Sequence, residues 1–200
     1  VGHGLSSAPE MIIVKDRDRT TEWSVMVQAA NSGNGHLGWL RLNGTYAYGA
    51  TSILWNNTAP TSSVFSIGTY DYVNYNNSNY IAYCFHSVEG YSAFGSYTGN
   101  GSADGPFVYL GFRPAFVITK RTNSTSNWPM HDNKRSPYNV TEASLYANAA
   151  DAEVNPSTED VDFLSNGFKL RGTTTARNTS GSTYIYMAFA ENPFKNALAR

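Results

Sequence analysis

The chain has 200 residues, with 14 Lys and Arg against 15 Asp and Glu, and a net charge of −1 at neutral pH. A surface this close to neutral gives no electrostatic footprint for nucleic acid or an anionic membrane, and no run approaches the ~18 apolar residues of a membrane-spanning helix. Charged residues make up 14% and aromatics 14%, so Ser, Thr, Asn, Gly and Tyr carry the surface while the core has ample material.

Val1 to Leu5 lead directly into APEMIIVKDRDRTTEW at 8–23, and a degenerate copy of that stretch, RPAFVITKRTNSTSNW, stands at 113–128. Pro9 and Pro114, Ile13 and Ile118, Lys15 and Lys120, Trp23 and Trp128, Asn43 and Asn148, and Ala47 and Ala152 share one offset of 105. After small gaps Phe65 aligns with Phe168, and Tyr80-Ile81 with Tyr184-Ile185. The chain reads as two diverged copies of one unit of about a hundred residues, repeat 1 over 1–94 and repeat 2 over 95–200. A Gly-rich approach, GSYTGNGSADGPFVYLGF at 95–112, precedes the second copy and has no counterpart before the first. This predicts that the chain begins partway through a longer one, whose upstream residues supply the first strand of repeat 1.

Met11 to Val14, repeated by Phe116 to Ile118, is short, apolar and rich in β-branched residues, as a strand buried on both faces requires. HLGWLRLNGTYAY at 36–48 alternates around Asn43-Gly44 and reads as strand and turn. Its counterpart EASLYANAADAE at 142–153 has helical propensity, but two copies of one unit share their elements, so strand is expected there, with a short helix as the alternative. Val161 to Phe163 and Phe168 to Leu170 flank Asn166-Gly167, which predicts a tight hairpin with positive φ at its turn. Each copy closes on an aromatic strand, Tyr80 to Phe85 and Tyr184 to Phe189, whose two apolar faces predict a central place in its sheet. With no long helical period, the expected fold is an all-β antiparallel sandwich of two tandem repeats.

Chemical motifs are sparse. No Gly-x-Ser-x-Gly, phosphate-cradling glycine loop or His-Glu-x-x-His occurs, so no catalytic residue is assigned and no enzyme is expected. His3, His36, His86 and His131 lack metal-ligand spacing and read as loop or surface residues. The acidic residues Asp151, Glu153, Glu159, Asp160 and Asp162 match no calcium loop and read as a solvated face, so neither metal nor cofactor is expected. Cys84, the single cysteine, reads as a buried thiol. Trp23 and Trp128, at matching positions, read as core in both copies. Asp132 and Arg135 read as a local turn pair. Seven Asn-x-Ser/Thr sequons follow from the composition and matter only in a eukaryotic secreted setting.

One difference between the copies points to a binding surface. TYDYVNYNNSNY at 69–80 carries Tyr70, Tyr72 and Tyr75 where TTTARNTSGSTY at 173–184 has Thr174, Ala176 and Thr179. These tyrosines, with Asn76 and Asn77, offer flat apolar faces beside amides, the chemistry of antibody paratopes. Alternation in an extended segment puts Tyr70 and Tyr72 on one side. Covering an edge strand or packing on a neighbouring subunit is the competing use.

Several strings together, VGHGLSSAPEMIIVKDRD, WNNTAPTSSVFSIGT, EGYSAFGSYTGNGSADGPFVYLGFRPAFVITKRT, VDFLSNGFKLRGT and SGSTYIYMAFAENPF, resemble a repeated β-rich domain near the carboxyl ends of tail-fibre and other appended virion proteins of marine bacteriophages. The closing AENPFKNALAR is similar to that family's carboxyl terminus. The resemblance implies a receptor-binding adhesin on the virion surface, trimeric like the fibres, whose partners are a host cell-surface receptor or polysaccharide and other virion proteins. A capsid or tail decoration module is the alternative, and a glycan-degrading enzyme, needing two carboxylates facing a cleft, a further one. The family carries no catalytic motif, so the resemblance transfers no functional residue.

Overall fold

The computed structural model describes residues 1–194, so the last six residues of the closing AENPFKNALAR lie outside the description. The chain is all-β and antiparallel, and it divides into two compact units, Val1–His86 and a second that starts at Ser87. The break falls ahead of the strand at Ser92–Thr98 and so differs from the expected 94/95 boundary, which would cut that strand.

The first unit holds β1 (Met11–Asp16), β2 (Ser24–Val27), β3 (Gly38–Arg41) and β4 (Gly49–Ala50). A single helical turn, α1 (Asp71–Asn74), precedes β5 (Tyr80–Phe85). The sheet order is β4-β3-β2-β1-β5. Met11 to Val14 are all buried, as a β-branched run covered on both faces should be. Below the sheet lies a core of Ile12, Val14, Met26, Trp39, Leu54, Trp55, Phe65 and Val73. Its second layer is built from irregular chain between 51 and 70 and from α1, tied down where Trp55 Nε1 donates to the Gly38 carbonyl at 2.9 Å.

The second unit holds β6 (Ser92–Thr98), β7 (Phe107–Tyr109), β8 (Pro114–Arg121), β9 (Pro129–Asp132) and β10 (Leu145–Tyr146), followed by β11 (Val161–Leu164), β12 (Gly167–Leu170) and β13 (Thr183–Ala190). Five strands run β10-β9-β8-β13-β6, and a smaller sheet runs β11-β12-β7. Val108, Phe163, Phe168 and Leu170 of the small sheet meet Tyr97, Val117, Tyr184 and Ala188 of the large one, which makes this unit a two-sheet sandwich. The stretch at 142–153 forms the short strand β10 and not a helix.

Three expectations are corrected. β13 is central, flanked by β8 and β6, but β5 is the last strand of its sheet and pairs with β1 alone among the described residues. Its two-faced apolar sequence therefore reflects an edge, with Ile81 and Tyr83 exposed by 36% and 42%. The hairpin of β11 and β12 forms with Leu164 opposite Gly167, yet neither Asn166 nor Gly167 has positive φ. Gly167 serves close packing instead, because a Cβ there would stand 2.1 Å from the Val108 carbonyl oxygen of β7. Trp128 is completely buried, whereas Trp23 is half-buried, so only one of the pair is core.

Both units use the same set of internal clamps. The Trp23 N–H donates to Asn43 Oδ1 at 2.9 Å, and the Trp128 N–H to Asn148 Oδ1 at 2.7 Å. Asn74 Nδ2 reaches the Gly68 carbonyl at 2.9 Å, as Asn178 Nδ2 reaches that of Gly172 at 3.0 Å. The Tyr80 hydroxyl accepts from the Tyr75 N–H and donates to the Asp71 carbonyl, and the Tyr184 hydroxyl does the same with Thr179 and Thr175. The Phe65 N–H bonds the Val1 carbonyl as the Leu170 N–H bonds that of Pro106, so Phe65 takes the place of Leu170 and not of Phe168.

Candidate functional site

The turn between α1 and β5 carries the residues singled out above, and its geometry divides them. Tyr70 and Tyr72 do not alternate along an extended segment, because Asp71 to Asn74 close a helical turn with the Tyr70 carbonyl accepting from Val73 and Asn74. Both rings pack on Trp39, at centroid distances of 5.9 and 6.0 Å, and on each other at 4.8 Å. They are half-buried against the core cluster, so their main work is packing. Unit 2 has the small residues Thr174, Ala176 and Ser144 at the offset positions of Tyr70, Tyr72 and Trp39, a compensated change that comparing the loops alone did not reveal.

Tyr75, Asn76 and Asn77 stand clear of the core, Tyr75 being 47% exposed and Asn77 in the left-handed region at φ 62°. Their turn is held by DRDR at 16–19, the end of β1. Asp16 is buried, and its carboxylate accepts the N–H groups of Asp18 and Arg19 and the Arg19 Nε at 2.7 Å. Burial alone would raise the Asp16 pKa, but the hydrogen bonds from Arg19 and from these backbone amides outweigh it and hold the value at about 2. The fixed Arg19 guanidinium lies 3.7 Å from the centroid of the Tyr75 ring and donates to the Asp71 carbonyl. Asp18 Oδ2 accepts both the N–H and the Nδ2 of Asn79, at 2.6 and 2.9 Å. The aromatic face and the two amides are thus presented on a rigid turn. Asp132 and Arg135 repeat the same clamp at the end of β9, with Arg135 also reaching Glu153 at 3.0 Å.

A second cluster lies wholly inside unit 2. Arg177, buried, donates through Nη1 to the Glu159 carbonyl at 2.6 Å and lies 3.2 Å from His131 Nε2. Its Nε is 3.5 Å from Thr119 Oγ1. The Glu159 carboxylate accepts from Ser144 and Tyr146 at 2.9 and 3.0 Å. His131 is therefore not a surface residue, and burial first, then the Arg177 and Arg135 cations, hold its pKa well below the usual imidazole value. At the matching positions unit 1 has Val14, Met26, Leu54 and Val73, all buried and apolar, for Thr119, His131, Glu159 and Arg177. A His and an Arg 46 residues apart carry no spacing signal, so sequence reasoning missed this cluster. The acidic residues do not converge: Glu159 is engaged here, Glu153 pairs with Arg135, and Asp162 with Arg171 at 3.4 Å. Among the described residues no group of three or more His, Cys, Asp or Glu is placed to hold a metal ion.

Fold and sites together define an all-β protein of two antiparallel units, one with a stapled aromatic turn at its surface and one with a polar network in its core. The chain belongs to the DUF7483 family, a domain of unknown function, which matches residues 1–193 and so spans both units. No curated protein and no solved structure matches the chain.

Proposed function

We propose that this chain is a receptor-binding module of a phage tail fibre, displayed on the virion surface, that attaches to a host cell-surface receptor or polysaccharide. The two units are, on this reading, diverged copies of one fold, in which the shared parts serve structure and the part elaborated once serves binding. The Tyr75-Asn76-Asn77 turn, clamped by Asp18 and Arg19, carries the proposal, since it offers a rigid ring face and two free-standing amides at little ordering cost. Unit 2 has Thr179, Ser180 and Gly181 at those places.

Purified chain should compete with phage for adsorption to host cells. Replacing Tyr75 with Ser, Asn76 with Ala and Asn77 with Gly, which keeps the left-handed backbone there, should weaken that competition by about tenfold or more, the loss typical of a central aromatic anchor, at a nearly unchanged melting temperature. Undiminished competition by the folded triple variant would remove the turn from the binding surface, and light scattering on the same protein tests the trimer that the resemblance implies. A second reading, a decoration module that binds other virion proteins, is favoured by one observation: among the described residues β5 ends its sheet and pairs with β1 alone.

A further inference from the structure

Tyr75 is matched by a second tyrosine that unit 1 presents in the same way. Tyr46, in the loop after β3, is 53% exposed, and its ring lies 4.1 Å from the Arg41 guanidinium, as that of Tyr75 lies 3.7 Å from Arg19. Each guanidinium is itself fixed, Arg19 by the buried Asp16 carboxylate and Arg41 by the Trp39 ring at 4.3 Å. A ring about half exposed, with a cation against one face, offers its other face to solvent. Gly44 leaves room for Tyr46, since a Cβ there would stand 3.0 Å from its ring.

Strand pairing puts both rings at one end of the sheet. β1 and β3 are each antiparallel to β2, with Val14 opposite Ser24 and Ser24 opposite Arg41, so the ends of β1 and β3 lie level across β2. Arg41 closes β3, and Arg19 follows the end of β1. α1 joins them, because the Asp71 carbonyl accepts from Arg19 while Tyr70 and Tyr72 pack on Trp39. Unit 2 has other residues at all of these places: Arg19, Trp39, Arg41, Tyr46 and Tyr75 correspond to Ser124, Ser144, Tyr146, Asp151 and Thr179. Residues from three separate segments therefore differ together, while the structural clamp of Asn43 and Asn148 among them is kept.

Charge and shape select the ligand. Arg19 and Arg41 stand with the carboxylates of Asp16, Asp18 and Asp71, two cations against three anions, a balance that discourages an acidic polymer or a nucleic acid. What remains for recognition is flat ring face and the uncharged amides of Asn76 and Asn77. The C–H face of a sugar ring stacks on an aromatic face, and the hydroxyls at its rim bond amides. Tyr46 and Tyr75 are joined through Trp39 and α1, so covering both takes a chain rather than one sugar. We propose that these two faces form one site for an uncharged polysaccharide, with sugar rings stacked on Tyr46 and on Tyr75. The site rests on the adsorption reading of the Tyr75 turn and narrows its ligand to a glycan chain.

The test uses the full chain and polysaccharide extracted from the host envelope, split on an anion exchanger into neutral and acidic fractions. Affinity electrophoresis should show retardation by the neutral fraction. Tyr46→Ser should weaken that binding by about tenfold at an unchanged melting temperature, whereas Tyr46→Phe, which keeps the ring, should not. Single sugars from the hydrolysed fraction should compete about a hundredfold less well than the intact chains. Retardation by the acidic fraction alone, or by neither, or full binding by Tyr46→Ser overturns the proposal. Adsorption to host cells that protease abolishes and periodate spares assigns the surface to a protein receptor and overturns it too. Adsorption competition that falls with the Tyr75 variant but not with Tyr46→Ser removes this site and leaves the reading of the turn standing.

Discussion

Replacing Trp128 with alanine is expected to destabilise the protein by about 3–5 kcal/mol, the range for truncating a large buried aromatic, whereas Trp23→Ala is expected to cost about 1 kcal/mol. The two residues hold corresponding places and make the same backbone clamp to Asn148 and Asn43. What differs is enclosure, complete for Trp128 and partial for Trp23. The clamp survives either substitution because the tryptophan contributes only its main-chain N–H to the asparagine Oδ1, so the difference isolates side-chain burial. Urea titrations followed by circular dichroism decide the matter, and equal losses for the two variants would refute the distinction.

The buried network of unit 2 gives the second large effect. Arg177→Val is expected to cost about 2–4 kcal/mol, because the Glu159 carbonyl and Thr119 hydroxyl lose their donor inside the core. Changing all four positions to their unit 1 counterparts, Thr119→Val, His131→Met, Glu159→Leu and Arg177→Val, is expected to recover part of that loss. The Thr119 hydroxyl and the His131 ring go together with their Arg177 partner, whereas the main-chain carbonyl at 159 and the Ser144 and Tyr146 hydroxyls must find new partners. The residue set is already known to pack, since Val14, Met26, Leu54 and Val73 form part of one core.

The acid response should change with it. His131 in the folded protein titrates well below its ordinary value of 6.5, so the unfolded chain takes up the proton first as pH falls. Its contribution to stability is complete above pH 6.5 and is lost below it, at up to about 1.4 kcal/mol per pH unit. The quadruple variant, lacking His131, should show a shallower decline between pH 7 and 5 in urea midpoints. A single substitution as costly as stated, followed by a quadruple variant that is worse still, would show that the network is not replaceable as a unit.

Much of the architecture was legible because two weak signals could be read against each other. EASLYANAADAE has helical composition, and only its correspondence with a segment that turns at Asn43-Gly44 identifies the strand that β10 supplies. Burial was less legible, because it depends on neighbours from distant parts of the chain. Trp23 and Trp128 look alike in sequence, and so do β5 and β13, yet in each pair the surroundings differ. β5 lies at an edge because no described strand covers it, which its own apolar pattern could not report. Tyr70 and Tyr72 do not form the extended pair that alternation suggests, and their packing partner Trp39 stands more than thirty residues earlier, beyond the reach of a local pattern. Tyr75, whose ring rests on Arg19, kept its exposed place.

The distribution of indoles has a practical consequence for optical work. Trp23, Trp39 and Trp55 lie in unit 1, and Trp128 is the only tryptophan in unit 2. Emission excited selectively in tryptophan therefore weights the first unit, and a Trp128→Phe chain would report on that unit alone. Subtracting its signal from that of the unaltered chain leaves one fully shielded fluorophore, whose red shift on exposure to water times the opening of the second unit separately from the first.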